Sequence, residues 1–166
     1  MTDTTDGSYV PRRSVLYMPG ANERALEKAK GLDADALILD LEDAVAPDAK
    51  AEARDRVCAA ASSGEYGAKE VAIRVNGLTT QWHADDIAAA AAAGPAAVVV
   101  PKVDSVADVH AIEKGLEAGG ATSILDIPVR VTPNGLGMRA FEVKVYSNDP
   151  DEPVTAPEAD EQEPTS

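Results

Sequence analysis

The chain has 166 residues and a net charge of −14, so it has the length of one domain and a large surplus of acids. That surplus excludes nucleic acid as a partner, because the phosphate backbone would be repelled. A complete eightfold β/α barrel, which needs about 250 residues, does not fit. A single cysteine, Cys58, allows no internal disulfide and suits a reducing compartment. Its helix-forming neighbours mark it as a buried core thiol rather than a nucleophile. There is no apolar stretch of about 18 residues and the polar start lacks signal-peptide order, so the expectation is a cytoplasmic protein with no membrane contact.

In chain order, residues 1–11 read as a flexible polar arm. SVLYM (14–18) is a first apolar run, stopped by Pro19-Gly20. NERALEKAKG (22–31) reads as a helix with Asn22 as N-cap and Gly31 just past its end. ALILDLED (36–43) is nearly continuous in Leu37, Ile38, Leu39 and Leu41, as in strands buried on both faces. Pro47 opens a second helix that runs to about Ser62. VAIRV (71–75) ends at Asn76-Gly77, a helix spans His83–Ala93, and Gly94-Pro95 breaks it. AAVVVPK (96–102) is the fourth run, and Ser105 caps a helix through about Ala118, with Asp108 in the place of the usual capping-box Glu.

Four βα units at this spacing imply right-handed crossovers and a parallel sheet, hence an α/β fold. The rhythm changes after Gly119-Gly120. SILDIPVRV (123–131) is strand-like with Pro128 mid-run, and FEVKVY (141–146) alternates like a strand. Residues 147–166 hold Asp149, Asp151, Glu152, Glu158, Asp160, Glu161 and Glu163 with no Lys or Arg, which reads as an acidic disordered tail. The expected organisation is therefore 1–11, 12–146 and 147–166.

Ligands of parallel β/α folds meet the C-terminal ends of strands. Those ends are Tyr17-Met18-Pro19-Gly20, Asp40-Leu41-Glu42-Asp43, Arg74-Val75-Asn76-Gly77 and Pro101-Lys102. Three carboxylates in four residues repel one another unless a cation neutralises them, and Arg74 or a hard divalent metal would do so. His83 and His110 lack a paired His or Cys at ligand spacing, and Trp82 reads as a helix-start packing residue.

RRSVLYMPGANERALEKA, ADALILDLEDAVAPDAKAEAR, VAIRVNGLTT and AAVVVPKVDSVADV, in this order, resemble successive blocks of the citrate lyase β-subunit and malyl-CoA lyase family, which also includes acyl-CoA thioesterases and the HpcH/HpaI aldolases. The resemblance spans 12–118 and implies the first half of a TIM-type barrel. It implies Mg²⁺-dependent cleavage of a citryl-CoA or malyl-CoA type thioester to acetyl-CoA and a 2-oxo acid. By position, Arg74 would hold the substrate carboxylate and stabilise oxyanion charge. Glu42 and Asp43 would support the metal's water shell and brace the arginine. Asp40 would be structural. Tyr17, Pro19, Gly20 and Lys28 would form a CoA edge, with Asn76 and Gly77 close to the ligand. Lys102 would either close the rim or touch substrate.

The segment Pro128-Val129-Arg130-Val131-Thr132-Pro133 departs from the family, with Val131 where a metal-binding Glu precedes Thr-Pro. The glycine-rich block with the second metal Asp has no counterpart, so direct metal ligands are unassigned; Glu142 is one unrecognised candidate. Three readings follow: a lyase or thioesterase impaired by truncation, a binding half-barrel for an acyl-CoA or small dicarboxylate that pairs through two open sheet edges as a homo-oligomer, and a degenerate fragment.

Overall fold

The computed structural model describes residues 12–121 and the backbone of 140–143. Residues 1–11, the strand-like run 123–131 and the acidic segment 147–166 lie outside the described residues.

Strands β1 (Val15–Pro19), β2 (Ala36–Asp40), β3 (Glu70–Arg74) and β4 (Ala97–Pro101) alternate with helices α1 (Glu23–Lys30), α2 (Lys50–Ser62), α3 (His83–Ala93) and α4 (Val106–Ala118). Local chemistry explains the boundaries. The Asn22 side chain accepts from the Ala25 N–H at 3.0 Å, capping α1. Pro47 opens a 3₁₀ turn, Pro47–Ala49, that leads into α2. Gly94 ends α3 at a φ of 62°, a left-handed position natural to glycine. Ser105 and Asp108 form a reciprocal capping box, so the shorter acid serves where Glu is usual.

The strands pair in the order β1-β2-β3-β4, all parallel, which confirms the α/β half-barrel expectation. A fifth strand, β5 (Ala140–Val143), adds to β4 antiparallel, with Glu142 opposite Val99. The sheet therefore still has two edges, one of them moved from β4 to β5. The backbone groups of β4 are met by a downstream segment of the same chain, and β1 and β5 are the two outer strands among the described residues.

β2 and β3 are flanked on both sides and buried, through Leu37, Leu39 and Ile73 in particular, with Val75 buried just beyond β3. β1 is different. Its Val15, Leu16 and Tyr17 are 43%, 37% and 52% exposed, as befits an edge. Leu26, Val57, Ile87, Ile112 and Leu116 close the core from the helices. α3 and α4 approach closely because small residues meet there. A Cβ on Gly115 would lie 2.8 Å from Ile87 Cγ2, and one on Gly119 would lie 2.6 Å from the Ala91 Cβ.

Candidate functional site

Parallel pairing sets Pro19 beside Asp40 and Asp40 beside Arg74, so residues from three strands share one rim at the C-terminal edge. Arg74 Nε donates to Asp40 Oδ1 at 2.7 Å and Nη2 donates to Oδ2 at 2.8 Å, a bidentate fork. Nη1 faces Glu42 Oε2 at 3.1 Å and Asp43 Oδ2 at 3.5 Å. The Tyr17 ring lies with its centroid 4.9 Å from Arg74 Cζ. Lys102, immediately after β4, donates from Nζ to Glu42 Oε1 at 2.9 Å.

The electrostatics follow from these contacts. Burial pushes the Asp40 carboxyl up, but the Arg74 fork and the Glu42 and Ala44 N–H donors outweigh it and hold the group below the usual carboxylate range. The hydrogen bonds it donates to Asp40 raise the Arg74 guanidinium above its ordinary value, and burial only partly opposes this. Glu42 likewise raises the Lys102 ammonium, first through its hydrogen bond.

Beneath the rim lies a second polar layer that the sequence did not announce. Lys50, 5% exposed, donates to the carbonyls of Leu41 and Glu42 at 2.7 and 2.6 Å and to Asn76 Oδ1 at 2.8 Å. The Asn76 amide donates to Leu41 O and to Asp86 Oδ2, and Arg54 closes the set on Asp86 Oδ1 at 2.7 Å. Trp82 stacks below Lys50 Nζ at 5.2 Å, a more specific place than packing at a helix start. Burial lowers the Lys50 ammonium from its ordinary value, and the surrounding acids offset this in part. The one signal available was Asp86, an acid in the first turn of an Ala-rich helix, and such acids ordinarily serve the helix dipole.

The structure gathers Arg74, Glu42, Asp43, Tyr17 and Lys102 at one rim, with Asp40 as the main brace of the arginine. Asn76 is buried below, and its side chain is taken by Lys50, Leu41 and Asp86. Pro19 ends β1, and its carbonyl accepts from Asn22. Gly20 is needed for packing, since a Cβ there would lie 2.6 Å from both Asp40 O and Val57 Cγ2. Gly77 is under no such pressure, since a Cβ there would make its nearest contact, Pro101 O, at 3.7 Å. Lys28 is exposed on α1, and no side-chain bond ties it to the rim among the described residues. Cys58 is half-buried, and burial above all pushes its thiol up to about 11, which suits a packing role.

The described residues do not fit a direct Mg²⁺ shell. Both oxygens of Asp40 and both of Glu42 already meet N–H or cationic donors. Among the described residues no group of three or more His, Cys, Asp or Glu could hold a metal. His83 Nδ1 lies 2.8 Å from Asn76 O, and His110 Nδ1 faces Glu113. No helix among the described residues is long and apolar enough to cross a membrane.

Parallel βα units place this acid-clamped arginine at the strand C-termini, the end at which β/α barrels hold their ligands. The model of the HpcH/HpaI aldolase/citrate lyase family matches residues 13–121, and the chain belongs to that family. A (3S)-malyl-CoA thioesterase of Cereibacter sphaeroides is 46% identical over 138 residues, covering 82% of this chain and 46% of that protein. An L-malyl-CoA/β-methylmalyl-CoA lyase of the same species is 39% identical over 106 residues, covering 62% and 33%. The protein CitE of Mycobacterium tuberculosis, solved with magnesium, acetoacetate and coenzyme A, superposes with a TM-score of 0.51 at 30% identity, over 61% of this chain and 38% of that one. The chain spans less than half the length of these relatives.

Proposed function

We propose that this chain supplies the substrate-anchoring half of a CoA-thioester site of the citryl-CoA or malyl-CoA type, serving a carbon–carbon lyase or thioesterase. The observation that carries this reading is the Arg74 guanidinium, fixed by the Asp40 fork with Nη1 turned toward Glu42 and Asp43. A guanidinium locked on one side cannot rotate away from its ligand, so it costs little reorganisation when charge develops on a thioester or carboxylate oxygen. Tyr17, 52% exposed beside Arg74, offers a face for the pantetheine arm, and Lys28 on α1 offers a cation for a phosphate.

Cleavage of a hydroxyacyl-CoA needs removal of the hydroxyl proton, scission of the C–C bond and stabilisation of the resulting enolate. Arg74 addresses the last of these, and Glu42 and Asp43 set the charge around it. Magnesium, present in the CitE complex, would act as a Lewis acid on the oxo-acid end. Further ligands would have to come from residues outside 12–121 or from another chain. Both oxygens of Asp40 and of Glu42 are already paired, and no group of three ligands is present among the described residues. Hydrolysis of the same thioester draws on the same anchor, and relatives of both kinds share this half.

The test is product release. Full-length chain is incubated with Mg²⁺ and malyl-CoA or citryl-CoA, and oxo acid and free CoA are assayed separately. Release of either one supports a turnover role and distinguishes lyase from thioesterase. If neither appears, and the same chain binds no CoA ester, the reading fails.

A further inference from the structure

Glu42 occupies an unusual place. Its two carboxylate oxygens are divided between two cations, Oε2 on Arg74 Nη1 at 3.1 Å and Oε1 on Lys102 Nζ at 2.9 Å. The remaining polar sides of Arg74, Nε and Nη2, are held by Asp40. Nη1, which also faces Asp43 Oδ2 at 3.5 Å, and Nζ therefore form a gap that the Glu42 carboxylate bridges, and that carboxylate belongs to the chain itself. Lys102 is the exposed side of the gap, with a side chain 74% exposed and three donors, one of them used among the described residues.

The backbone of Lys102 supports the same conclusion. Its φ is 57°, the only positive value outside glycine among the described residues. A side-chain-bearing residue pays a steric cost in this region, and such positions persist where their surroundings hold them and cluster at ligand sites. Here Val100 and Val103, 0% and 2% exposed, pin the turn on either side. The Lys102 stem passes Gly77, with Cδ 3.9 Å from where a Cβ would stand there, so the ammonium is carried back over the rim. Glycine would suit this backbone better, and what lysine adds is the cation.

We propose that Arg74 and Lys102 form a two-cation clamp for the free carboxylate of a small dicarboxylic or oxo acid, and that Glu42 fills this clamp until the ligand carboxylate displaces it. Lys102 is then a ligand-contacting residue that selects substrates bearing a carboxylate beyond the thioester, and Glu42 is an internal competitor. The proposal rests on the reading above for the chemical class of its ligand. Its geometry stands on the Glu42 bridge alone.

The experiment is calorimetric titration of the full chain with malonate as the probe, and separately with a CoA ester. Lys102→Gly removes the cation and suits the backbone, so its thermal midpoint should not fall, and Lys102→Asn also tolerates this φ. Both should weaken malonate binding by about tenfold or more, as expected for loss of a charge-assisted contact, whereas Lys102→Arg should stay within about threefold. Glu42→Gln should tighten malonate binding by roughly fivefold, because a neutral amide competes less well for two cations. A merely structural Glu42 predicts the opposite sign. The proposal is overturned if Lys102→Gly and Lys102→Asn bind malonate like the parent, if Glu42→Gln weakens binding, or if the parent binds no malonate. Failure to bind malonate with the CoA ester still bound overturns the clamp and leaves the anchoring half standing; loss of both removes both.

Discussion

Asp40 and Arg74 are 34 positions apart in sequence and meet only because β2 and β3 pair in parallel register. The sequence placed Arg74, Glu42 and Asp43 at strand ends, since a cation or acid after an apolar run is visible without a structure. It did not show which acid would hold the arginine, because register decides that, and Asp40 takes the fork while Asp43 stays 71% exposed. Lys50 was equally hidden, since a lysine near a helix start reads as a solvated residue until burial is known. Removing one partner of a buried ion pair strands the other, at about 3–5 kcal/mol. Asp40→Asn should therefore lower stability in urea unfolding by about 3 kcal/mol, whereas Asp43→Asn should change it by less than about 1 kcal/mol.

The same pair sets a pH dependence. Asp40 titrates lower in the folded chain than in the unfolded one, so its contribution is complete above about pH 4, the unfolded value, and is lost as pH falls through the folded value. The urea midpoint should hold level from neutral pH to about 5 and then decline, with a shallower decline in Asp40→Asn. Asp35, held low first by its hydrogen bond to Arg13, keeps some slope in the variant. An identical acid profile for the two proteins would contradict this assignment.

Strands and helices were legible because apolar runs of strand length alternate with segments bounded by caps that function as such, Asn22 and Ser105 among them. Two element-level features were not. The antiparallel join of β5 to β4 depends on a long-range register that a local pattern does not carry, although the alternation in FEVKVY did mark a strand. The close approach of α3 to α4 depends on Gly115 and Gly119, and Gly119 reads from sequence only as a helix stop. Gly119→Ala would set its Cβ 2.6 Å from the Ala91 Cβ and 3.1 Å from the Ala88 Cα. It should destabilise by about 1–3 kcal/mol through overpacking. Ser105→Ala should cost about 1 kcal/mol through loss of the capping box. Chemical denaturation checks both, and a neutral Gly119→Ala would mean that the helices can move apart freely.

On the scale of the molecule, the described sheet has β5 as one outer strand and β1 as the other, and β1 carries three exposed apolar or aromatic side chains, Val15, Leu16 and Tyr17. An unpaired strand of this kind invites a further strand, and a homo-oligomer formed through β1 is the proposed occupant. Light scattering should then report a dimer or larger species that Leu16→Lys returns to monomer; a monodisperse parent monomer would contradict it.

The anchoring role of the rim is tested most directly by calorimetric titration of malyl-CoA into the full chain and into Arg74→Lys, with thermal melts to show that both are folded. Lysine preserves the charge but cannot keep the Asp40 fork and present Nη1 together. Saturable binding by the parent, weakened about tenfold or more in Arg74→Lys, is the predicted result. Equal affinity in the two folded proteins, or no binding by the parent, would contradict the account.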